Sequence, residues 1–440
     1  MRFAEQSNTG GLYRLKVLLV SHNPITTYHN MGKSFLALFS AFEPEELCQL
    51  YLYPTVPDTD RCGAYYRFTD MDALHSLLDR RRVGESVVSN TQQHLLFENA
   101  AAEQIYRAPR NRTSWMRFGR DIVWKLSNWN NAALDAWIDK QSPDLVFAAV
   151  GKQEMLYDMA MTIAKQHDIP LVSYVCDDYY YSSGSGDPLQ KLQKKRLRRK
   201  IEELMRSSAL TITICRELTD RYAETFGVKA ETVMTCPTSR ARPYVRLEEG
   251  VRARRLVYMG NISIGRELSL LELGEVLHET NQAGAVHGTL EIYTGEKNQE
   301  ALDRLSACPA IRLHGFVTGR EYEGVFDSAD VFVHVESFDE KNRERVRYSI
   351  STKIIECLAS GRPLLAYGPG DVASMAYLRR HHCAVLAQSR RELPAAVEAV
   401  LTQEDLRQEL VRNAAQTVQR EAGNSRHLYE LLEGVLRESV

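Results

Sequence analysis

Residues 330–369 read DVFVHVESFDEKNRERVRYSISTKIIECLASGRPLLAYGP. Asp330–Val335 and Pro363–Tyr367 are short, almost continuously apolar runs, as strands covered on both faces of a sheet are. Between them lie a polar loop and a helical stretch, Thr352–Ser360, that ends at Gly361. Strand, crossover helix and strand make a parallel βαβ unit. Ser351, Thr352 and Lys353 stand at the helix entry. The first backbone N–H groups there have no helical partners and the helix dipole is positive; two hydroxyls and an ammonium add donors, so the position suits an anion. Glu356, one turn on, can accept hydrogen bonds from vicinal hydroxyls such as those of a ribose. The same residues also suit an ordinary capped helix with a solvated carboxylate.

The alternation continues in both directions. In the first half, strands are expected at Lys16–Val20, Asp144–Val150, Leu171–Val175 and Leu210–Ile214. Helices are expected at Lys33–Ala41, Asn131–Lys140, Glu154–Gln166 and Leu189–Ser207. In the second half, strands fall at Arg255–Met259, Thr289–Thr294, Ile311–His314 and Ala384–Leu386, with helices at Glu267–Thr280, Gly319–Phe326, Arg391–Thr402 and Glu404–Arg420. Cys236–Arg254 is charged, holds two prolines and lacks periodicity, which marks a linker. The expected class is α/β, with two Rossmann-like doubly wound domains facing across a cleft lined by βα loops. The domains are placed at 1–240 and 241–423, with a last helix over 424–440 packing back on the first.

A net charge of −2 gives no field directed at nucleic acid. No apolar run is long enough to span a bilayer, and the first residues lack a signal peptide's apolar segment. The eight cysteines form no C-x-x-C pair, and His381-His382-Cys383 cannot readily converge on one ion, so reduced thiols in a cytoplasmic protein are expected.

The stretch Arg347–Pro369 resembles the nucleotide-binding signature of GT-B glycosyltransferases, in particular the large bacterial family 4, or group 1, acting on surface polysaccharides. Glu356-Cys357-Leu358-Ala359-Ser360-Gly361-Arg362-Pro363 matches that family's second glutamate and the residues after it. The first glutamate falls at Tyr348, which leaves the stereochemical outcome open, with Glu336 or Asp339 as substitutes. RLVYMGNISIGRE, at Arg255–Glu267, resembles the opening of the family's C-terminal domain. Gly260 stands at the turn glycine, Arg266 at a phosphate-contacting base, and Asn261 where a second base is usual. Ile311–Val335 matches in the order of its elements. The resemblance implies a donor site of Gly260, Asn261, Arg266, Tyr348, Ser351, Thr352, Lys353 and Glu356. It further implies a UDP- or GDP-sugar donor, no cofactor or bound metal, and hexose transfer to a glycan or lipid-linked acceptor.

In the first half, KVLLV runs into SHNPITTYHNMGKSF, where His22, Asn23 and His29 are candidates, His29 among the catalytic ones. The strand at Leu171–Val175 ends in Asp177 and Asp178, followed by three tyrosines. Either carboxylate could act as general base on an acceptor hydroxyl, or simply cap a loop. The helix over 189–208 interleaves seven Lys and Arg, between residues 191 and 200, with apolar residues, a pattern suited to an anionic membrane surface or to a solvated cationic face. Peripheral attachment at the inner face of the cell membrane would bring the enzyme to a lipid-linked acceptor. Two other readings remain at this level: a non-catalytic sugar-nucleotide or partner binder, motivated by Tyr348 and Asn261, and a nucleotide-sugar epimerase.

Overall fold

The apolar runs are strands, to within a residue or so at their ends. The computed structural model describes residues 14–28, 30–81, 84–92, 97, 103, 114–181, 187–237, 240–247, 253–284 and 287–438. It forms two units, Met1–Thr235 with Asn424–Val440, and Cys236–Gly423.

In the first unit the strands are β1 (Val17–Ser21), β2 (Leu47–Tyr51), β3 (Ala64–Arg67), β4 (Glu85–Val87), β5 (Leu145–Val150), β6 (Leu171–Val175), β7 (Leu210–Thr213) and β8 (Ala230–Thr232). They form one sheet in the order β4-β3-β2-β1-β5-β6-β7-β8, parallel except where β4 runs against β3. Strands β2, β3, β4 and β8 were not legible as apolar runs. Gln49 and Arg67 lie buried inside β2 and β3. Gln49 is satisfied in place, donating from Nε2 to Ser21 Oγ at 2.8 Å and accepting from Ile25 N at 3.0 Å. The helices of this unit are α1 (Asn30–Leu38), α2 (Asp70–His75), α3 (Ser114–Leu126), α4 (Ala132–Gln141), α5 (Glu154–Gln166), α6 (Pro188–Ser207) and α7 (Arg216–Phe226).

The second unit has β9 (Arg254–Met259), β10 (Gly288–Tyr293), β11 (Ile311–His314), β12 (Val331–Val335), β13 (Leu364–Tyr367) and β14 (Val385–Ala387). All are parallel, in the order β11-β10-β9-β12-β13-β14. This is the doubly wound order, and its direction reverses between β9 and β12; the crevice beyond the carboxyl ends of those two strands is where such sheets bind ligands. The helices are α8 (Arg266–Gln282), α9 (Gln299–Ser306), α10 (Gly319–Ser328), α11 (Glu340–Val346), α12 (Thr352–Leu358), α13 (Ala373–Arg380), α14 (Leu393–Thr402) and α15 (Glu404–Glu421). The polar stretch after β12, expected to be a loop, contains α11. That helix has no apolar stripe; Asp339 caps it by accepting from Asn342 N at 3.0 Å, and Arg343 pairs with Glu340.

One core of the second unit joins Leu256, Leu290, Ile292, Val333 and Leu365 of the strands to Leu270, Leu277 and Val397 of the helices. The last helix, α16 (Asn424–Glu438), belongs to the first unit. Its Leu428, Leu432 and Val435 enter the core around Phe35, Phe39 and Phe147, and Tyr429 OH donates to Glu46 Oε1 at 3.1 Å.

Part of the expected linker is fastened to the second unit. Arg242 N donates to Ala359 O at 2.8 Å and Val245 N to Gly361 O at 3.0 Å. Gly361 ends α12 in the left-handed region (φ 75°), and a Cβ there would run into the Pro243 carbonyl. Gly361→Ala should therefore destabilise the protein by about 2–4 kcal/mol, summing the left-handed strain and the clash. Thermal unfolding checks this; an unchanged Tm would contradict the packing.

Candidate functional site

At the sheet's reversal point two connections are clamped together. The turn after β9 (Gly260–Gly265) leads into α8, and the turn after β12 (Glu336–Asp339) leads into α11. Arg266, at the start of α8, grips Glu336 by a fork: Nε to Oε2 at 3.1 Å, and Nη2 to Oε1 at 3.1 Å and to Oε2 at 2.9 Å. Ser269 Oγ donates to the Glu336 carbonyl at 2.8 Å. Glu336 is 2 % exposed, and His334 Nε2 approaches its Oε1 at 3.3 Å. Burial alone would raise the Glu336 pKa, but His334 and Arg266 outweigh it and hold the carboxyl below its ordinary value. Burial also opposes the charge on Arg266; Glu336 outweighs it and raises that pKa.

Arg266 spends Nε and Nη2 on Glu336, so its charge is already matched by a carboxylate. Of the two acids considered in place of the glutamate absent at Tyr348, Glu336 is buried in that pair, and Asp339 is exposed and caps α11. Tyr348 itself lies half-buried in the turn between α11 and α12.

The turn after β9 is shaped internally. Gly260 N donates to Tyr293 O at 3.1 Å. Asn261 is exposed, yet its carbonyl accepts from Tyr258 OH at 2.7 Å and its Oδ1 from Ser263 N at 2.6 Å. Ile264 and Gly265 both have positive φ, 65° and 73°. For a β-branched residue this conformation is an outlier costing on the order of 1–2 kcal/mol, and such outliers gather at ligand sites. A Cβ on Gly265 would strike Ser337 Oγ and lie 2.9 Å from Asn342 Nδ2, so the turn is wedged against the end of β12.

The second cluster surrounds α12. Ser351 caps it, Oγ accepting from Lys353 N at 3.3 Å, and Thr352 follows, half-buried. Ile354, Ile355 and Leu358 face inward, which leaves Lys353 and Glu356 together on the open side. Lys353 Nζ lies 3.1 Å from Glu356 Oε2 and donates to Tyr322 OH at 2.6 Å, 4.3 Å from that ring's centroid. Tyr322 OH in turn donates to Glu356 Oε2. Burial, reinforced by the Glu356 charge, pushes the Tyr322 pKa well up. Tyr322 was missed in the sequence. It rides on α10, which Phe326, one turn further, seats on Phe332 of β12 at 4.7 Å between ring centroids. Beside Tyr348, Arg343 and Arg347 share Asp371, with Nη2–Oδ2 distances of 2.6 and 2.8 Å. Burial would raise the Asp371 pKa, but the two arginines lower it.

In the first unit, Asp177 and Asp178 follow β6 and diverge. Asp178 is a turn cap: its Oδ1 accepts from Tyr180 N at 2.9 Å and from Tyr181 N at 3.1 Å. That role fixes its carboxylate and argues against it as a general base. Asp177 is exposed, with Tyr179 OH donating to it at 3.4 Å. His29 lies outside the described residues. The His22 and Asn23 carbonyls brace the turn after β1, accepting from Tyr53 N at 2.9 Å and Ser21 Oγ at 2.8 Å.

The basic helix α6 does not present its apolar side outward. Ile201, Leu204 and Met205 are buried. Arg196 pairs with Glu154 at 2.9 Å, Lys200 with Asp158 at 2.8 Å, and Arg198 donates to Tyr180 O at 2.7 Å. Laying this helix alone into a bilayer interface would require unpacking that side. No helix among the described residues is long and apolar enough to cross a membrane, and no group of three or more His, Cys, Asp or Glu there could hold a metal ion. All eight cysteines are free thiols.

Residues 273–433 match the family model described as glycosyl transferase-like. Among solved structures, trehalose-6-phosphate synthase from Burkholderia multivorans aligns over 97 % of both chains at 12 % identity, with a TM-score of 0.57. The E. coli trehalose-6-phosphate protein bound with UDP-2-fluoro glucose aligns over 96 % of this chain and 99 % of its own, at 10 % identity and a TM-score of 0.60. WaaG, a glycosyltransferase involved in lipopolysaccharide biosynthesis, aligns over 94 % and 99 %, at 11 % identity and a TM-score of 0.53. Curated protein sequences give no match. The chain therefore has the GT-B fold of glycosyltransferases. Its second unit is glycosyl transferase-like, and the chain resembles the group 1 enzymes.

Glu336→Ala would strand the Arg266 cation in a buried site and should cost about 3–5 kcal/mol of stability. Glu336 has a depressed folded pKa, so its contribution is present above the unfolded glutamate pKa of about 4.3 and is lost as pH falls through the folded value. Acid titrations of stability should thus be shallower in Glu336→Gln than in wild type below about pH 4. Equal stability of wild type and Glu336→Ala at neutral pH would contradict the clamp.

Proposed function

We propose that this protein transfers a hexose from a nucleoside-diphosphate sugar, UDP- or GDP-linked, to a glycan or lipid-linked acceptor of a bacterial surface polysaccharide, on the cytoplasmic side of the membrane. The observation that carries this is the pair Lys353 and Glu356, on the connection that leaves β12 at the sheet's reversal point, clustered with Tyr322 of α10. Lys353 offers a half-exposed ammonium for a phosphate. Glu356 offers an acceptor for two sugar hydroxyls, at the position Tyr322 OH now serves. A donor reaching Glu356 through Oε2 replaces the tyrosine hydroxyl, and the freed Lys353 turns to the phosphate.

Charge growing on the leaving diphosphate is met by Lys353, by backbone N–H groups of the strained 260–265 turn other than those of Gly260 and Ser263, and by Arg343 and Arg347, which share Asp371 while Arg343 also pairs with Glu340. The family-model match, over residues 273–433, takes in Arg343, Arg347 and Lys353 and supports the same reading. A fold neighbour carrying UDP-2-fluoro glucose makes UDP the first nucleotide to try.

One observation favours a second reading, a non-catalytic sugar-nucleotide binder: Arg266 is neutralised by Glu336, and Tyr348 carries no acid. Binding without turnover on any acceptor would select it. Calorimetric titration with UDP, GDP, ADP, dTDP and CMP tests the site. Lys353→Ala and Glu356→Ala should each weaken the preferred nucleotide about tenfold or more, as expected for a lost charge-assisted bond. An unchanged Kd in both would remove the donor site from this place.

A further inference from the structure

Helix α3, SWMRFGRDIVWKL, is anchored on one side and apolar on the other. On its inner side Trp124 is buried and donates from Nε1 to Asp70 Oδ1 at 2.7 Å, and Arg120 Nε donates to the same oxygen at 2.8 Å. At helical spacing, Trp115, Gly119, Ile122 and Leu126 fall on the opposite side. There Trp115 is 72 % exposed, Ile122 43 % and Leu126 62 %, with Met116 at their margin 59 % exposed. Solvated helices normally turn polar residues outward; this one turns an aromatic and aliphatic stripe outward.

Both neighbours of α3 extend the feature. Helix α2, held through Asp70 and through the bond from Asn128 N to Ser76 Oγ at 3.0 Å, leaves Leu74, Leu77 and Leu78 exposed at and beyond its end. On the other side α6 is tied to the start of α3. Ser114 Oγ donates to Asp187 Oδ2 at 2.8 Å, and Gln190 Nε2 donates to Ser114 Oγ at 3.0 Å. The outer side of α6 carries Lys191, Lys195, Arg199 and Arg206, all exposed, with Leu192 between them. The acids nearby are engaged: Asp187 caps α6, Glu203 pairs with Lys200, Glu202 accepts from Tyr180 OH and pairs with Arg206, and Asp121 is half-buried with its pKa raised by burial.

We propose that the outward stripe of α3, with the leucines after α2 and the cationic edge of α6, is a docking face for an anionic bilayer. Trp115, Ile122 and Leu126 enter the headgroup boundary, where an aromatic stripe is at home, and Lys191, Lys195 and Arg199 meet lipid phosphates. Charge complementarity selects this occupant: an apolar strip bordered by exposed cations fits anionic headgroups above acyl chains. The assignment keeps α6 packed, using only its exposed edge, and does not depend on the enzyme reading.

Co-sedimentation of the full chain with phosphatidylcholine vesicles, with and without phosphatidylglycerol, tests it. The wild type should bind the anionic vesicles and leave the neutral ones largely alone. The triple variant Lys191→Glu, Lys195→Glu, Arg199→Glu should lose on the order of a hundredfold in partition, from about fivefold per cation removed. Trp115→Ser with Ile122→Ser should lose about tenfold or more. Unchanged thermal unfolding and nucleotide binding in these variants would separate this result from failure of the donor site. A second readout is fluorescence quenching by brominated lipid. Trp124 and Trp137 are buried and Trp129 is half-buried, so the part of the quenching on anionic vesicles that Trp115→Phe removes reports the exposed Trp115 side. Absence of binding or quenching, binding that survives both variants, or a dimer that the Trp115→Ser, Ile122→Ser variant dissolves would each overturn the proposal.

Discussion

The arrangement of the second unit depends on a buried fork between Arg266 and Glu336. A doubly wound sheet leaves two connections diverging at its reversal point, and a ligand crevice exists only if both are held still. Here one connection supplies the guanidinium, the other the carboxylate and the carbonyl that Ser269 grips. Such a pair contributes little net stability over an apolar contact, because desolvating both charges offsets their attraction. Its worth is geometric: it fixes where α8 begins relative to the end of β12, and with it the strained turn at Ile264 and Gly265.

That clamp changes the charge inventory of the site. A resemblance-based reading sends Arg266 to the donor phosphates, whereas the folded chain gives it a carboxylate of its own. On the proposed reading, positive charge for a diphosphate then comes from Lys353 and from Arg343 and Arg347, which share Asp371 while Arg343 also pairs with Glu340. Tyr322 adds a second feature. Its hydroxyl occupies a Glu356 oxygen, so on the proposed reading ligand entry and tyrosine release would be one exchange of hydrogen bonds.

Much of the fold was legible because strands covered on both faces read as unbroken apolar runs, as VFVHV and LVFAAV do. β2 and β3 were not, because Gln49 and Arg67 sit inside them, and their partners, Ser21 and Ile25 for Gln49 and Glu85 for Arg67, are brought near only by folding. α11 escaped because its stability comes from a cap and from charge pairs, not from an apolar stripe. In the site, Ser351, Lys353 and Glu356 were legible because one turn of helix sets them side by side. Tyr322 lies 31 residues from Lys353, and Glu336 lies 70 from Arg266; no local pattern joins such pairs. The two roles weighed for Asp178 could not be separated for a related reason: a carboxylate that caps a turn and one that faces a substrate look alike until the backbone around them is seen.

The central claim is that a nucleoside diphosphate docks where β9 and β12 end, with its ribose on Glu356. A crystal structure with the preferred nucleotide tests it most directly. The account predicts phosphates against the 260–265 turn and Lys353, ribose hydroxyls on Glu356, and Tyr322 OH moved off that carboxylate. A nucleotide bound elsewhere, with the Tyr322–Glu356 bond intact, would contradict it.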